Sequence, residues 1–275
     1  ANKGVELELN YIPVNKKNFT WKINLNLTHY KNKITYLPDE KKTTVMDGHG
    51  GYMNGSRYYG EDLPINTWYM KRFAGLSEDG LSLWYYTDKE TNEEKTTTTY
   101  STGDFYLCGD PNPDLYGGFG TSITFHGFDL STQFSYLVGG LTYDYGYAGM
   151  MGNPTATSVG NRWHKDVLKA WSPENPSSTI PRWHFNDLNT TGSSDRFLID
   201  GSYLNLQNIQ VGYTLPDSWT SHLKIKNLRL YFVCDNVYYW SKRKGLDPRR
   251  SISGVGTSGK IAPFRTYSGG ISLQF

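Results

Sequence analysis

Pro263-Phe264-Arg265-Thr266-Tyr267-Ser268-Gly269-Gly270-Ile271-Ser272-Leu273-Gln274-Phe275 alternates apolar and polar side chains to its last residue. Tyr267, Ile271, Leu273 and Phe275 fall on one face, and Thr266, Ser268, Ser272 and Gln274 on the other, which is the period of an extended strand. Soluble domains usually end in a frayed tail because nothing ties down their last residues. Here the alternation runs into a bare aromatic carboxy-terminus.

The same period recurs upstream. In Phe19-Thr20-Trp21-Lys22-Ile23-Asn24-Leu25-Asn26-Leu27-Thr28 every odd residue is apolar and every even one polar. Val5, Leu7, Leu9 and Tyr11 share a face, as do Leu115, Phe119, Ile123 and Phe125, and then Phe128, Leu130, Phe134, Tyr136 and Val138. Further stripes are Ile209, Val211 and Tyr213, then Leu228, Leu230 and Phe232. These stripes predict strands at about 3–14, 18–32, 114–126, 128–143, 196–214, 223–240 and 262–275. A further pair at about 65–75 and 81–87 would turn on Ser77-Glu78-Asp79-Gly80. The strand count is thus seven or nine.

The connections alternate in length. Asn15-Lys16-Lys17, His126-Gly127 and Pro216 to Ser221 are tight turns at one end; segments near 33–64, 88–113, 144–195 and 241–261 are long and lie at the other. Alternating strands with short turns at one end and long loops at the other describe an outer-membrane β-barrel, whose strands meet lipid with every second residue. A secreted β-sandwich that binds or degrades polysaccharide is the alternative, because it too has one apolar face per strand. The aromatics favour the barrel. Phe19, Trp21, Phe125, Phe128, Tyr213 and Trp219 gather near the short turns, and Tyr143, Tyr145, Tyr147, Tyr238, Tyr239 and Trp240 near the long loops, as two membrane-interface girdles require. A bacterial barrel closes on an even number of strands. An odd count therefore predicts that residues 1–275 are one part of a larger barrel whose remaining strands precede Ala1.

Composition agrees. The chain has 22 Tyr, 8 Trp and 29 Gly among 275 residues, and its mean hydropathy of −0.59 excludes a bundle of membrane-spanning helices. A net charge of +2 gives no reason to expect nucleic acid. Cys108 and Cys234 are the only cysteines, and free thiols are expected. His49, His126, His164, His184 and His222 are scattered without ligand spacing, so no metal or cofactor is expected. Gly48-His49-Gly50-Gly51 lacks the Lys-Ser/Thr and helix of a phosphate loop. Nothing selects a catalytic carboxylate pair, and no enzymatic activity is expected.

The closing strand resembles the one that outer-membrane insertion machinery reads, with Tyr267, Ile271, Leu273 and Phe275 as the signal. Four further segments resemble SusC-like TonB-dependent transporters. They are Asn2-Lys3-Gly4-Val5-Glu6-Leu7-Glu8-Leu9 before Phe19-Thr20-Trp21; Gly109-Asp110-Pro111-Asn112-Pro113 before Tyr116-Gly117-Gly118-Phe119; Trp171-Ser172-Pro173-Glu174-Asn175-Pro176 before Gly201-Ser202-Tyr203-Leu204; and Asp235-Asn236 before Lys244-Gly245-Leu246-Asp247-Pro248. The family usually carries an acidic residue after that Asp-Pro, where this chain has Arg249. The resemblance implies an all-β, antiparallel barrel of roughly 22 strands in the outer membrane of a Gram-negative bacterium, of which this chain would be the carboxy-terminal part. It further implies an amino-terminal plug, energy from TonB through the plug, a SusD-like surface lipoprotein, and import of oligosaccharides or oligopeptides.

Candidate contacts for substrate or lipoprotein are the loop aromatics Tyr147, Trp163, Trp171, Trp183, Tyr239 and Trp240. Trp163, Val167 and Trp171 recur at helical spacing, so 163–171 is predicted as a helix stopped by Pro173. The cluster Lys242-Arg243-Lys244 with Arg249 and Arg250 is placed in the last outer loop, facing lipopolysaccharide phosphates, acidic partner groups or solvent. Lys22, Asn24, Asn26, Gln133, Asn205 and Gln207 are expected to face the lumen and meet the plug or the translocation path.

Overall fold

The computed structural model describes residues 1–154, 162–187, 192–220, 222, 224–243, 245–250, 253–254 and 263–275. Seven antiparallel strands run side by side in one sheet: β1 (Asn2–Lys16), β2 (Phe19–Asn32), β3 (Leu115–Phe125), β4 (Phe128–Val138), β5 (Tyr203–Thr214), β6 (Asn227–Ser241) and β7 (Thr266–Gln274). Spatial order follows chain order, so each hairpin pairs with the next and the wall grows in one direction. Its outer edges, on β1 and β7, are unpaired among the described residues.

Register keeps the apolar stripes together. One row across the wall reads Leu9, Leu25, Phe119, Phe134, Leu206 and Tyr238; another, near the tight turns, reads Phe19, Phe125, Phe128, Tyr213, Leu230 and Ile271. A slip of one residue would turn every strand inside out, so the pattern fixes the register. The rows are knit by ring contacts, with Phe119 stacked on Phe134 at 4.7 Å and Phe128 against Tyr213 at 4.3 Å.

This apolar face is uncovered: Val5 is 67% exposed, Ile271 66% and Phe128 56%. Every extensive contact between a wall strand and another strand is with its lateral neighbour. A β-sandwich buries such a face against a second sheet. The sandwich alternative is corrected here, because no second layer faces the wall among the described residues.

The other face is polar and hydrogen-bonded within itself. Arg229 on β6 reaches across β5 to Asp129 on β4, donating from Nε at 2.9 Å and from Nη2 at 2.6 Å. Gly212 of β5 lies beneath that bridge. A Cβ there would stand 2.5 Å from Arg229 Nη2 and from Asp129 Oδ1, so only glycine leaves the path open. Asn24 and Gln133 meet in the same way across Gly120, at 3.4 Å.

Other boundaries are corrected. The predicted 65–75 strand breaks at Arg72, and its halves join different sheets, neither of them the wall. Thr67–Lys71 lies in a five-stranded sheet with Phe105–Leu107, Arg57–Gly60, His49–Asn54 and Thr44–Met46, while Phe73–Leu76, Ser82–Thr87 and Glu94–Thr97 form another. The expected turn does close this hairpin, with Gly80 at φ +73° and its N–H donating to Ser77 O at 2.9 Å. The predicted 128–143 strand stops at Gly139 and Gly140, whose φ of +81° and +72° no strand tolerates. Leu141–Tyr143 then pairs with Leu198–Asp200 instead. The predicted 163–171 helix is a short 3-10 turn, Lys165–Lys169, capped by His164. Cys108 and Cys234 are free thiols.

Gly212→Val is expected to sever the Arg229–Asp129 bridge and lower barrel stability by about 1–3 kcal/mol. A lower urea midpoint of the refolded full-length protein, at unchanged slope, is the readout; an unchanged midpoint contradicts this account of the bridge.

Candidate functional site

Above the wall, the long connections fold onto one another into a cap. Its core is Trp68, Met70, Tyr143, Met151 and Phe197, drawn from the β2–β3 and β4–β5 connections. Trp68 is fully buried, and its indole N–H donates to Leu141 O at 3.2 Å. The guanidinium of Arg57 stacks on Trp68, 3.1 Å from the ring centroid, and donates to Asn66 O at 2.7 Å and to Ser253 O in the last connection. Burial pushes the Arg57 pKa down to about 10. Tyr143 N donates to Gly254 O at 2.8 Å, so the β6–β7 connection is fastened to the same core.

Three further clamps use charge. Asp144 is buried, accepts from Tyr147 N at 3.0 Å and pairs with Arg243, whose guanidinium covers the Tyr147 ring at 4.7 Å. Lys71 is buried beneath Tyr100 and Phe105, and its ammonium donates to the carbonyls of Tyr100, Ser101 and Gly103 at 2.5, 3.1 and 2.6 Å. Arg249 folds back on Asp247 through two bonds of 2.8 Å and reaches Asn205 Oδ1 at 2.6 Å. The basic cluster of the last loop is therefore corrected. Arg243 and Arg249 turn inward and hold that loop down, while Lys244 and the Arg250 side chain lie outside the described residues.

Between the cap and the polar face of the wall lies a cavity of about 1040 Å³. Asn26, Thr28 and Tyr30 of β2, Tyr116 of β3 and Tyr203 of β5 line it from below, and Asn66, Asn112 and Arg249 from the cap. Tyr30 and Tyr116 meet edge to face at 6.1 Å. Amides, hydroxyls and aromatic rings dominate the lining; its charged side chains are the Arg249 guanidinium, already paired, and the Glu6 carboxylate at the rim strand β1. Such a surface recognises uncharged polar groups and flat apolar faces. No group of three or more His, Cys, Asp or Glu that could hold a metal stands together among the described residues.

The sequence candidates are dispersed. Trp163 and Trp183 meet edge to face at 5.5 Å, with Trp183 42% exposed. Trp171 packs on the Gly80 turn, and Tyr147 donates to Asp166 Oδ2 at 3.1 Å within the cap. Tyr239 faces inward beneath the Arg249 guanidinium at 4.5 Å, whereas Trp240 faces outward beside Tyr238 at 4.8 Å, as an interface girdle. The cavity is lined by other residues. Of the expected lumen-facing group, Asn26 and Gln207 line this cavity, and Lys22, Asn24 and Gln133 a second one lower down. The signal for Tyr30, Tyr116 and Tyr203 was present: each is an aromatic residue in the polar row of its strand, near the loop end.

No protein-family model matches the chain. It is 28% identical over its whole length to TonB-dependent receptor P3 of Formosa agariphila, and 28% identical over 95% of its length to TonB-dependent receptor P26 of that organism. It is 26% identical over its whole length to TonB-dependent receptor SusC of Bacteroides thetaiotaomicron. The chain spans 28%, 27% and 26% of the length of these relatives. The whole chain superposes on 29% of a RagAB peptide transporter structure with a TM-score of 0.81 at 24% identity, and on 28% of the RagAB peptide importer in the "open-open" state with a TM-score of 0.79. The fold is thus a stretch of antiparallel β-barrel wall, and the chain is similar along its length to SusC and the other TonB-dependent receptors.

Trp68→Ala is expected to cost the cap about 3–5 kcal/mol, read as faster proteolysis in the long connections of the full-length protein while the barrel keeps its urea midpoint. A pH effect follows from the β2–β3 connection. The Leu37 amide, at 2.8 Å, and the Lys42 ammonium hold the Glu61 carboxylate below the usual range, and Lys33 at 2.7 Å does the same for Asp62. Both contributions are present above the ordinary carboxylate pKa and are lost as pH falls through the depressed folded values. The protection factor of the Leu37 amide, taken against its intrinsic exchange rate at each pH, should therefore fall below about pH 4; a protection factor indifferent to acid excludes the Glu61 contact.

Proposed function

We propose that this chain is the carboxy-terminal part of the barrel of an outer-membrane importer, a plugged barrel of roughly 22 strands whose earlier strands and plug precede it. The importer takes up oligosaccharides or oligopeptides, drives the step with TonB acting on the plug, and works with a SusD-like surface lipoprotein over its mouth. The chain itself binds and positions; it carries out no covalent chemistry.

One observation carries this reading: an uncovered apolar face outside, a self-bonded polar face inside, and a cap leaning over the inner side only. That arrangement is stable where the outer face meets hydrocarbon and the inner face lines a filled lumen. An oligomeric substrate suits the cavity. Amides and phenols match the uncharged, repeating hydrogen-bonding groups of a glycan or a peptide backbone, and Tyr30 and Tyr116 offer rings for stacking. The relatives support the TonB requirement by their descriptions, and RagAB, described as a peptide transporter, supports the oligopeptide branch.

The test is uptake by cells carrying the full-length protein, using labelled oligopeptide and oligosaccharide mixtures with and without a functional TonB. Uptake of one class should vanish without TonB, and Tyr30→Ala with Tyr116→Ala should weaken substrate binding roughly tenfold. Full-length protein that stays in solution without detergent, or uptake indifferent to TonB, refutes the reading.

A further inference from the structure

The outward face of β1–β7 carries no Asp and no Glu, and its only Lys or Arg side chains are Lys3, Lys16 and Lys31. Every other Lys or Arg on a wall strand, and every acid, falls in the inward row: Glu6, Glu8, Lys22, Asp129, Arg229 and Asp235. Lys16 lies beside Phe19 at the end with the tight turns. Lys3 and Lys31 lie at the end with the long loops, directly opposite each other in register, one outward row beyond Val5 and His29 and two beyond Leu7 and Leu27.

Like charges placed face to face across an antiparallel pair repel. No described residue neutralises this pair. Glu6 and Glu8 point to the other face, and Asp62 is engaged by Lys33 at 2.7 Å. Neither Lys3 nor Lys31 forms an ion pair with any described residue, and both are exposed. The spacing also carries information. Lys3 and Lys16 are separated by roughly 40 Å along the strand, which a barrel tilt of about 40° reduces to roughly 30 Å along the membrane normal. That is the thickness of the hydrocarbon core. The lysine pair therefore stands at the level of the outer leaflet's headgroups, with an apolar band beneath it for the acyl chains.

We infer that Lys3 and Lys31 form a lipid site, binding the phosphate of a phosphorylated glycolipid headgroup in the outer leaflet. Two ammonium groups at adjacent positions on one face chelate one phosphate and relieve their own repulsion. This inference rests on the reading that the apolar face meets lipid. It is independent of what the barrel imports.

The test uses full-length protein taken from its own outer membrane in mild detergent, with retained lipid identified by native mass spectrometry. Lys3→Gln with Lys31→Gln should retain roughly tenfold less phosphorylated glycolipid, Lys16→Gln should retain the wild-type amount, and Lys3→Arg with Lys31→Arg should restore binding. Delipidated wild-type protein in nanodiscs is then titrated with lipid A, dephosphorylated lipid A, phosphatidylglycerol and inorganic phosphate. Only lipid A should bind tightly. Equal retention by the glutamine variant, equal binding of the dephosphorylated lipid, or replacement by phosphatidylglycerol or inorganic phosphate overturns the assignment. Wild-type protein that needs detergent keeps the membrane reading whatever the titration gives, so the two fail separately.

Discussion

A strand that crosses hydrocarbon must find every backbone partner beside it, because lipid offers neither donor nor acceptor. Lateral pairing is consequently the constraint on which this wall depends. It lines up seven strands in chain order, sets one register across all of them, and leaves side chains free to divide by phase alone. The outward phase holds Leu, Ile, Val and aromatic residues with no acid, and the inward phase holds amides, hydroxyls and charges, Arg229 and Asp129 among them bridged. A soluble sheet of this composition would have to cover its apolar face. Among the described residues this one has no cover, and their large fully buried side chains, Trp68, Trp84, Tyr58 and Met70, all lie in the cap instead.

The wall and the cap are stabilised by different means. In the wall, hydrogen bonds between strands do most of the holding, and glycines at Gly120 and Gly212 let long polar side chains lie flat against the barrel's inner surface. In the cap, a conventional core of Trp68, Met70, Tyr143, Met151 and Phe197 is surrounded by cations paired with rings and carbonyls: Arg57 on Trp68, Lys71 on three carbonyl groups, Arg243 on Tyr147 and Asp144. Such cations are usually read as partner-binding groups. Here they fasten three separate connections into one body, and this joint leaves the cavity beneath it open.

Arg249 illustrates how a loop cation can act locally. An arginine here would change the charge at the mouth if it pointed into the lumen unpaired. Its bidentate pair with Asp247, and its bond to Asn205, tie the β6–β7 connection to the inward row of β5. The same guanidinium covers Tyr239, so that ring is screened on one side rather than fully presented to the cavity.

Period-two alternation, legible residue by residue from Phe19 to Thr28 and again from Tyr267 to Phe275, was enough to determine the wall, its inside and outside, and the end at which the long connections lie. It sufficed because each outward residue meets lipid and not a particular neighbour, so no distant contact has to be known. The cap obeys no such rule. Whether Thr67–Lys71 joined the wall, whether Trp163 and Trp171 shared a helix, and whether Arg243 and Arg249 faced outward depended on contacts between segments up to about two hundred residues apart, as between Arg57 and Ser253. Those contacts exist only after the connections have folded together, and only the tertiary structure could decide which rings line the cavity and which hold the cap closed.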